Sequence, residues 1–309
     1  MVLKEVPEDF YVKEILDLPL STGPFFYYLL KKRDWTTFDA VQALAQKLHL
    51  PLKCFGYAGT KDKRAITEQY LSVYKTSKEK MERIALRDIT LKYLGTGKTR
   101  ISLGTHRGNY FQIVVRDLST KPQIIPPSCI KNFFDSQRFG TTGDNYLIGK
   151  ALVQGNFHEA STRLHMTLIQ NDAIRTLRTI DRKMLRFYIS AYQSYLWNIV
   201  AADIEDATTL PLVGFLTEFS SRTKKKYLEL LKIEGITPKD FLIPKIPELA
   251  NEGDERPLYI TVTNFASAIA SDERHPGKYK LTFRFQLPKG AYATHVVKTL
   301  FPSQVLEIF

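Results

Sequence analysis

Cysteine is scarce in this chain: among 309 residues there are two, Cys54 and Cys129, with no CxxC spacing. That argues against a disulfide scaffold or a zinc ribbon and makes a reducing interior the default expectation. Histidine is nearly as sparse. His49, His106, His158, His165, His275 and His295 form no HxH, HExxH or HxxxH group, so no metal is expected. No apolar run approaches membrane-spanning length. The opening MVLKEVPEDF carries charge and proline where a secretory signal needs an apolar run. The expectation is a soluble, cytoplasmic protein with no membrane partner. Phosphate-cradling loops are missing too. Gly97-Lys98-Thr99 ends like GxxxxGK[ST], but Lys92 stands where the leading glycine belongs, and Gly59-Thr60-Lys61 runs into Asp62.

What is there is basic and strand-rich. Lysine and arginine number 44 against 32 acids, a formal net charge of +12, which favours a polyanionic partner, nucleic acid first. The length suits two domains, or one large domain carrying an insertion. Strand signals dominate both ends: Asp9–Ile15, Phe25–Lys31, Thr67–Tyr74 and Tyr110–Arg116 are aromatic and β-branched. Between Trp35 and Leu48 the period changes to helix, with Thr36 or Thr37 as cap and Val41, Leu44, Ala45 and Leu48 on one face. Tyr279–Leu287 (YKLTFRFQL) alternates strictly, which predicts an antiparallel sheet covered on one side and a wet, basic other face. From about Gly155 to Asp254 the chain reads as helical and polar, with Arg186–Ala202 as one aromatic-rich helix; Leu258–Thr263 returns to strand. An α+β domain interrupted by a second, mainly helical one is the reading, with boundaries at 1–154, 155–254 and 255–309.

Two stretches carry chemistry. Gly56–Gln69 reads GYAGTKDKRAITEQ and sets Asp62 among Lys61, Lys63 and Arg64. Those cations hold the carboxylate ionised, and Gly56 and Gly59 let the loop bend. An ionised carboxylate suits nucleophilic attack on an electrophilic carbon better than general-base work; a solvated charged turn has the same composition. Lys131–Gly140 reads KNFFDSQRFG. Its amides, Asn132 and Gln137, can pair with the edge of uracil, a phenyl ring can stack on an extruded base, and Arg138 can hold a phosphate. A packed turn with some of these rings in the core is the plainer alternative.

These segments resemble the TruD family of tRNA pseudouridine synthases, as do EDFYVKE (Glu8–Glu14), HRGNYFQIVVRDL (His106–Leu118), GKALVQGNF (Gly149–Phe157), AYQSYLWN (Ala191–Asn198) and LPKGAYAT (Leu287–Thr294). The matches are in order and run nearly end to end. The resemblance implies a pseudouridine-synthase-type catalytic domain with a largely antiparallel mixed sheet, interrupted by a TruD-type insertion. It implies isomerisation of uridine to pseudouridine in tRNA at position 13 of the D arm, by a monomer needing no cofactor, with other RNAs left open as substrates. Asp62 falls on the catalytic aspartate, Lys61 on the lysine before it and Glu14 on an acidic position near the site. Asn132 and Phe134 fall on positions that contact and stack on the uracil, and Gln137, Arg138 and Arg64 join them as substrate-binding candidates. Lys98, Arg100, Arg107, Lys224, Lys225 and Lys226 are candidate RNA contacts. Two departures stand out: Phe133 and Asp135 replace the tyrosine and glycine of the usual N-Y-F-G, and the insertion is short. They leave a second reading, a non-catalytic RNA-binding protein that keeps the synthase fold; a nucleotide-phosphate enzyme is disfavoured by the failed loops.

Overall fold

Alternating burial along the Tyr279–Leu287 stretch shows how the sheet is built. In the computed structural model, which describes residues 1–140 and 142–301 and the backbone of 307–308, Leu281, Phe283, Phe285 and Leu287 are buried, whereas Arg284 is exposed. The chain packs as two units, Met1–Ile130 with Thr261–Phe309, and Lys131–Ile260.

The first unit is a mixed sheet, ten-stranded among the described residues. Its main strands are β1 (Phe10–Ile15), β2 (Phe25–Arg33), β3 (Ile66–Tyr74), β4 (Ile89–Gly97), β5 (Gly108–Leu118), β6 (Thr263–Ser271) and β7 (Tyr279–Pro288). They lie in the order β6-β7-β5-β1-β3-β2-β4. Neighbours along this path run antiparallel except β1 and β3, which run parallel with Val12 opposite Thr67. Because side chains alternate across a strand, the registers Leu30↔Gln69 and Lys32↔Thr67 put Tyr28, Leu30, Lys32, Thr67, Gln69, Leu71, Val12 and Glu14 on one face.

Helix α1 (Thr37–Leu48) covers part of that face. Its Ala40, Val41, Leu44 and Ala45 pack with Tyr28, Leu30, Leu71 and Val73, and Thr36 caps it by accepting from Asp39 N. Farther along, Phe283 meets Phe301 edge-on just past the helix Ala293–Leu300. Lys32, Thr67, Gln69 and Glu14 are therefore polar side chains on a covered face, each 0–1% exposed. Such groups in a sheet core need partners; Lys32, Gln69 and Glu14 find theirs on the loop at Asp62, whereas the Thr67 hydroxyl has no hydrogen-bond partner among the described residues.

The second unit is mainly helical. Helix α2 (Asn145–Val153) packs on α3 (Arg182–Asp203), the helix expected from Arg186–Ala202. Its compact extent is wider than the 155–254 read from composition, taking in 131–154 and 255–260. The cause is packing: the turn at 131–139 and α2 lie against α3, and Asn132 N bonds Leu258 O at 2.8 Å. The strand β4 escaped sequence reading because Gly95 and Gly97 interrupt its pattern.

Gly149 marks the closest approach of α2 and α3. A Cβ there would lie 2.0 Å from Tyr188 O and 2.9 Å from Tyr192 Cβ. Gly149→Ala is expected to destabilise the protein by about 1–3 kcal/mol through overpacking, read as a lower denaturant midpoint. An unchanged midpoint would show that the helices separate freely.

Candidate active site

Asp62 lies in an irregular stretch between the short strand Phe55–Tyr57 and β3. Neither glycine of the stretch has a positive φ. Gly56 serves close approach: a Cβ there would stand 2.4 Å from Ile101 O. The loop's backbone is held by buried side chains. Thr37 Oγ1 accepts from Lys61 N at 2.9 Å and donates to Gln69 Oε1 at 2.8 Å, while Gln69 Nε2 donates to Gly59 O at 3.1 Å. Lys32 Nζ donates to Asp62 O at 2.9 Å.

One cation on the Asp62 carboxylate comes from far along the chain. Lys4 Nζ lies 2.7 Å from Asp62 Oδ2, with the Lys4 side chain 11% and the Asp62 side chain 24% exposed. Lys4 is delivered by a fastened N-terminal segment. Val2–Leu3 pair with β5, Lys4 itself has φ 58°, and its ammonium sits 3.8 Å over the Phe10 ring. Glu5 pairs with Arg274 and His275, each at 2.8 Å, and Asp9 with the buried Arg116 at 2.8 Å. The hydrogen bonds from Arg274 and His275 hold the Glu5 carboxyl below its usual range.

Lys61 turns away from Asp62. Its Nζ meets Glu14 Oε1 at 2.6 Å in a buried pair, and the other Glu14 oxygen accepts from Tyr70 N at 3.0 Å. Burial, with Glu14 second, raises the Tyr70 phenol; burial, with Lys61 second, lowers the His106 imidazole. Arg64 Nη2 donates to Glu5 O at 2.8 Å. The idea that Lys61, Lys63 and Arg64 keep Asp62 charged is thus corrected for Lys61: the fold brings its ammonium to Glu14, and Lys4 arrives at Asp62 from 58 residues away.

Asn132 and Phe134 belong to the second unit. Asn132 Oδ1 accepts from Arg256 Nη2 at 2.7 Å, and its Nδ2 donates to Pro257 O at 3.2 Å. Arg256 lies 3.8 Å over the Phe134 ring, and Trp197 meets that ring edge-on at 5.8 Å. Asn198 brackets Phe134 by bonding its N and O, each at 2.9 Å. Arg138 Nε donates to Ser194 Oγ at 3.1 Å, and Gln137 is exposed. Asp135 accepts from Ser136 N at 2.7 Å as the cap of a helical turn. Its φ of −97° needs no glycine, so the departure from the motif has a local use.

Among the basic candidates, Arg100 Nε bonds Phe55 O at 3.1 Å, Arg107 pairs with Asp17 and Lys226 with Asp203. Lys98, Lys224 and Lys225 are exposed. Among the described residues no group of His, Cys, Asp and Glu could hold a metal ion, and no helix is long and apolar enough to cross a membrane.

The loop with its buried scaffold and the NFF segment can be set beside known proteins. The sequence profile of the family "tRNA pseudouridine synthase D (TruD)" matches residues 1–170 and 201–300. The chain belongs to the TruD family. A "Probable tRNA pseudouridine synthase D" of Methanosarcina mazei is 28% identical, covering 96% of this chain and 92% of its own. The "tRNA pseudouridine synthase D" of Aquifex aeolicus is 30% identical over 98% of both. A TruD crystal structure from Methanosarcina mazei superposes with a TM-score of 0.74 at 27% identity, covering 98% of this chain and 93% of that one. The alignment with the first relative runs over 403 positions, more than the 309 residues here, so that TruD protein carries segments without a counterpart in this chain.

Sequence reasoning missed Lys4 and Lys32. Nothing in the pattern singles out Lys4 among 44 cations. Lys32 did carry a signal: alternation along β2 puts it on the face of Tyr28 and Leu30, a charge at a core position.

The Lys61–Glu14 pair yields a prediction. Its side chains are 6% and 0% exposed, and removing one partner strands the other charge. Glu14→Ala is expected to cost about 3–5 kcal/mol of stability, measured by denaturant unfolding. A loss below about 1 kcal/mol would mean that the pair is solvated like a surface bridge.

Proposed function

We propose that this TruD-family tRNA pseudouridine synthase, an isomerase, uses Asp62 as its nucleophile and acts on uridine 13 of the tRNA D arm. The observation that carries the reading is the Asp62 carboxylate itself: one-quarter exposed, ion-paired with Lys4, on a loop whose backbone is pinned by buried groups. The ion pair favours the charged form a nucleophile needs, and the pinning fixes where it points.

The target nucleotide first leaves its stack, at a cost of roughly a few kcal/mol. Asp62 then attacks the uracil ring or ribose C1′, or assists formation of a glycal. The N1–C1′ bond breaks, the freed uracil turns, and C5 bonds to C1′. Loss of the C5 proton restores the ring. The net change is an isomerisation without oxidation or reduction, for which no cofactor is proposed. Lys4 acts by holding Asp62, whereas Glu14 and Lys61 are assigned to the scaffold beneath the loop. Roles for Asn132 and Phe134 in holding the base, for Gln137, Arg138 and Arg64 in binding substrate, and for Lys98, Lys224 and Lys225 in binding RNA rest on the motif and on charge. We take residues 155–254 as the TruD-type insertion and the working form as a monomer in the cytoplasm.

The experiment is tritium release from tRNA labelled at uridine C5. Wild type is expected to release tritium, and Asp62→Ala to release none while binding the tRNA within about twofold. Replacing uridine 13 by cytidine should abolish the signal. Tight binding with no release from any tRNA would favour the non-catalytic RNA-binding reading. Lys4→Met is expected to lower the release rate by roughly 10²-fold by freeing the carboxylate; an unchanged rate would leave Lys4 without a role in the chemistry.

A further inference from the structure

Lys32 is a lysine with no exposed surface, next to last in strand β2. Its Nζ faces three backbone carbonyls, Trp35 O at 2.5 Å, Asp62 O at 2.9 Å and Lys61 O at 3.5 Å. A buried ammonium is costly unless its donors are met, and here three donors face three acceptors. Those acceptors lie in two places: the turn that leads from β2 into α1, and the loop that carries Asp62. One cation thus joins the strand, the helix entry and the loop.

We propose that Lys32 is a positioning residue for the reaction: its ammonium gathers the carbonyls of Trp35, Lys61 and Asp62 and so fixes where the Asp62 carboxylate points. The inference rests on the reading of Asp62 as nucleophile. A neutral amine could not replace the ammonium, because it has two N–H donors and a lone pair that would face a carbonyl. Burial lowers the Lys32 pKa to about 8, with Asp62 favouring the charged form and Lys61 opposing it. Opposite Lys32 on the neighbouring strands are Thr67 and Ile89, neither of them charged. The direction follows: below about pH 8 the ammonium holds the loop, and as pH rises through that value the third donor and the charge are lost. Thr37 and Gln69 stay bonded to Lys61 N and Gly59 O at any of these pH values, so the loop slackens at Asp62 in particular.

The test is single-turnover tritium release from tRNA between about pH 6 and 10, with wild type and Lys32→Met, and RNA affinity measured in parallel. The wild-type rate is expected to fall as pH rises through about 8 while affinity holds. Lys32→Met should be slower by roughly 10²-fold at neutral pH, bind RNA within about twofold, and lack that basic limb. A wild-type rate that stays flat to about pH 9.5, or Lys32→Met working at the wild-type rate, overturns the proposal. The wild-type profile needs no variant, so a variant that fails to fold leaves the test intact. If Asp62→Ala proves as active as wild type, the nucleophile reading fails, and Lys32 is judged by amide hydrogen exchange. Exchange across residues 55–66 roughly tenfold faster in Lys32→Met supports positioning, and equal exchange overturns it.

Discussion

A loop without regular secondary structure cannot take its shape from a hydrogen-bonded ladder, so much of its backbone must be held by other groups, buried side chains above all. That constraint governs the first unit. Residues 58–65 have no strand or helix; Gly104 N and Asp34 N donate to Ala58 O and Ala65 O at the loop's two ends, and between them the side chains of Thr37, Lys32 and Gln69, from α1, β2 and β3, meet its backbone. Each is buried, where an unmet polar group costs far more than at the surface. The arrangement is therefore mutual. The loop satisfies the buried groups, and they hold its backbone in place.

The carboxylate on that loop is controlled separately. The N-terminal segment is fastened by Val2–Leu3 on β5, by Glu5 on Arg274 and His275, and by Asp9 on Arg116. Its yield is one ammonium, that of Lys4, on Asp62. Backbone and side chain of the same residue thus answer to different parts of the chain, one to the sheet core and one to the first four residues. Glu14 and Lys61 add a buried pair beneath both. On the proposed role of Asp62, such preorganisation would leave little rearrangement to make when substrate arrives, which is where much of a catalyst's advantage lies.

Much of this was legible in the sequence. Strand alternation in YKLTFRFQL and the helical period after Trp35 gave the sheet and α1 within a few residues, because both patterns follow from burial on one face. Asp62 stood out because its neighbours are charged. Which cation serves it did not, since a contact between residues 4 and 62 depends on how β5 receives the N-terminus, not on local spacing. Asp135 read as a departure from the family motif, and its carboxylate caps a helical turn. Only backbone geometry could show that. The second compact unit starts at 131, where packing on α3 begins, whereas composition changes only near 155.

The central claim is that the position of one carboxylate, and not its charge alone, drives the reaction. Asp62→Glu keeps the charge and moves the oxygens by one methylene. Single-turnover tritium release from C5-labelled tRNA measures the consequence directly. The account predicts a loss of roughly 10²-fold or more with RNA affinity unchanged. A glutamate variant that releases tritium within a few-fold of the wild-type rate would contradict it.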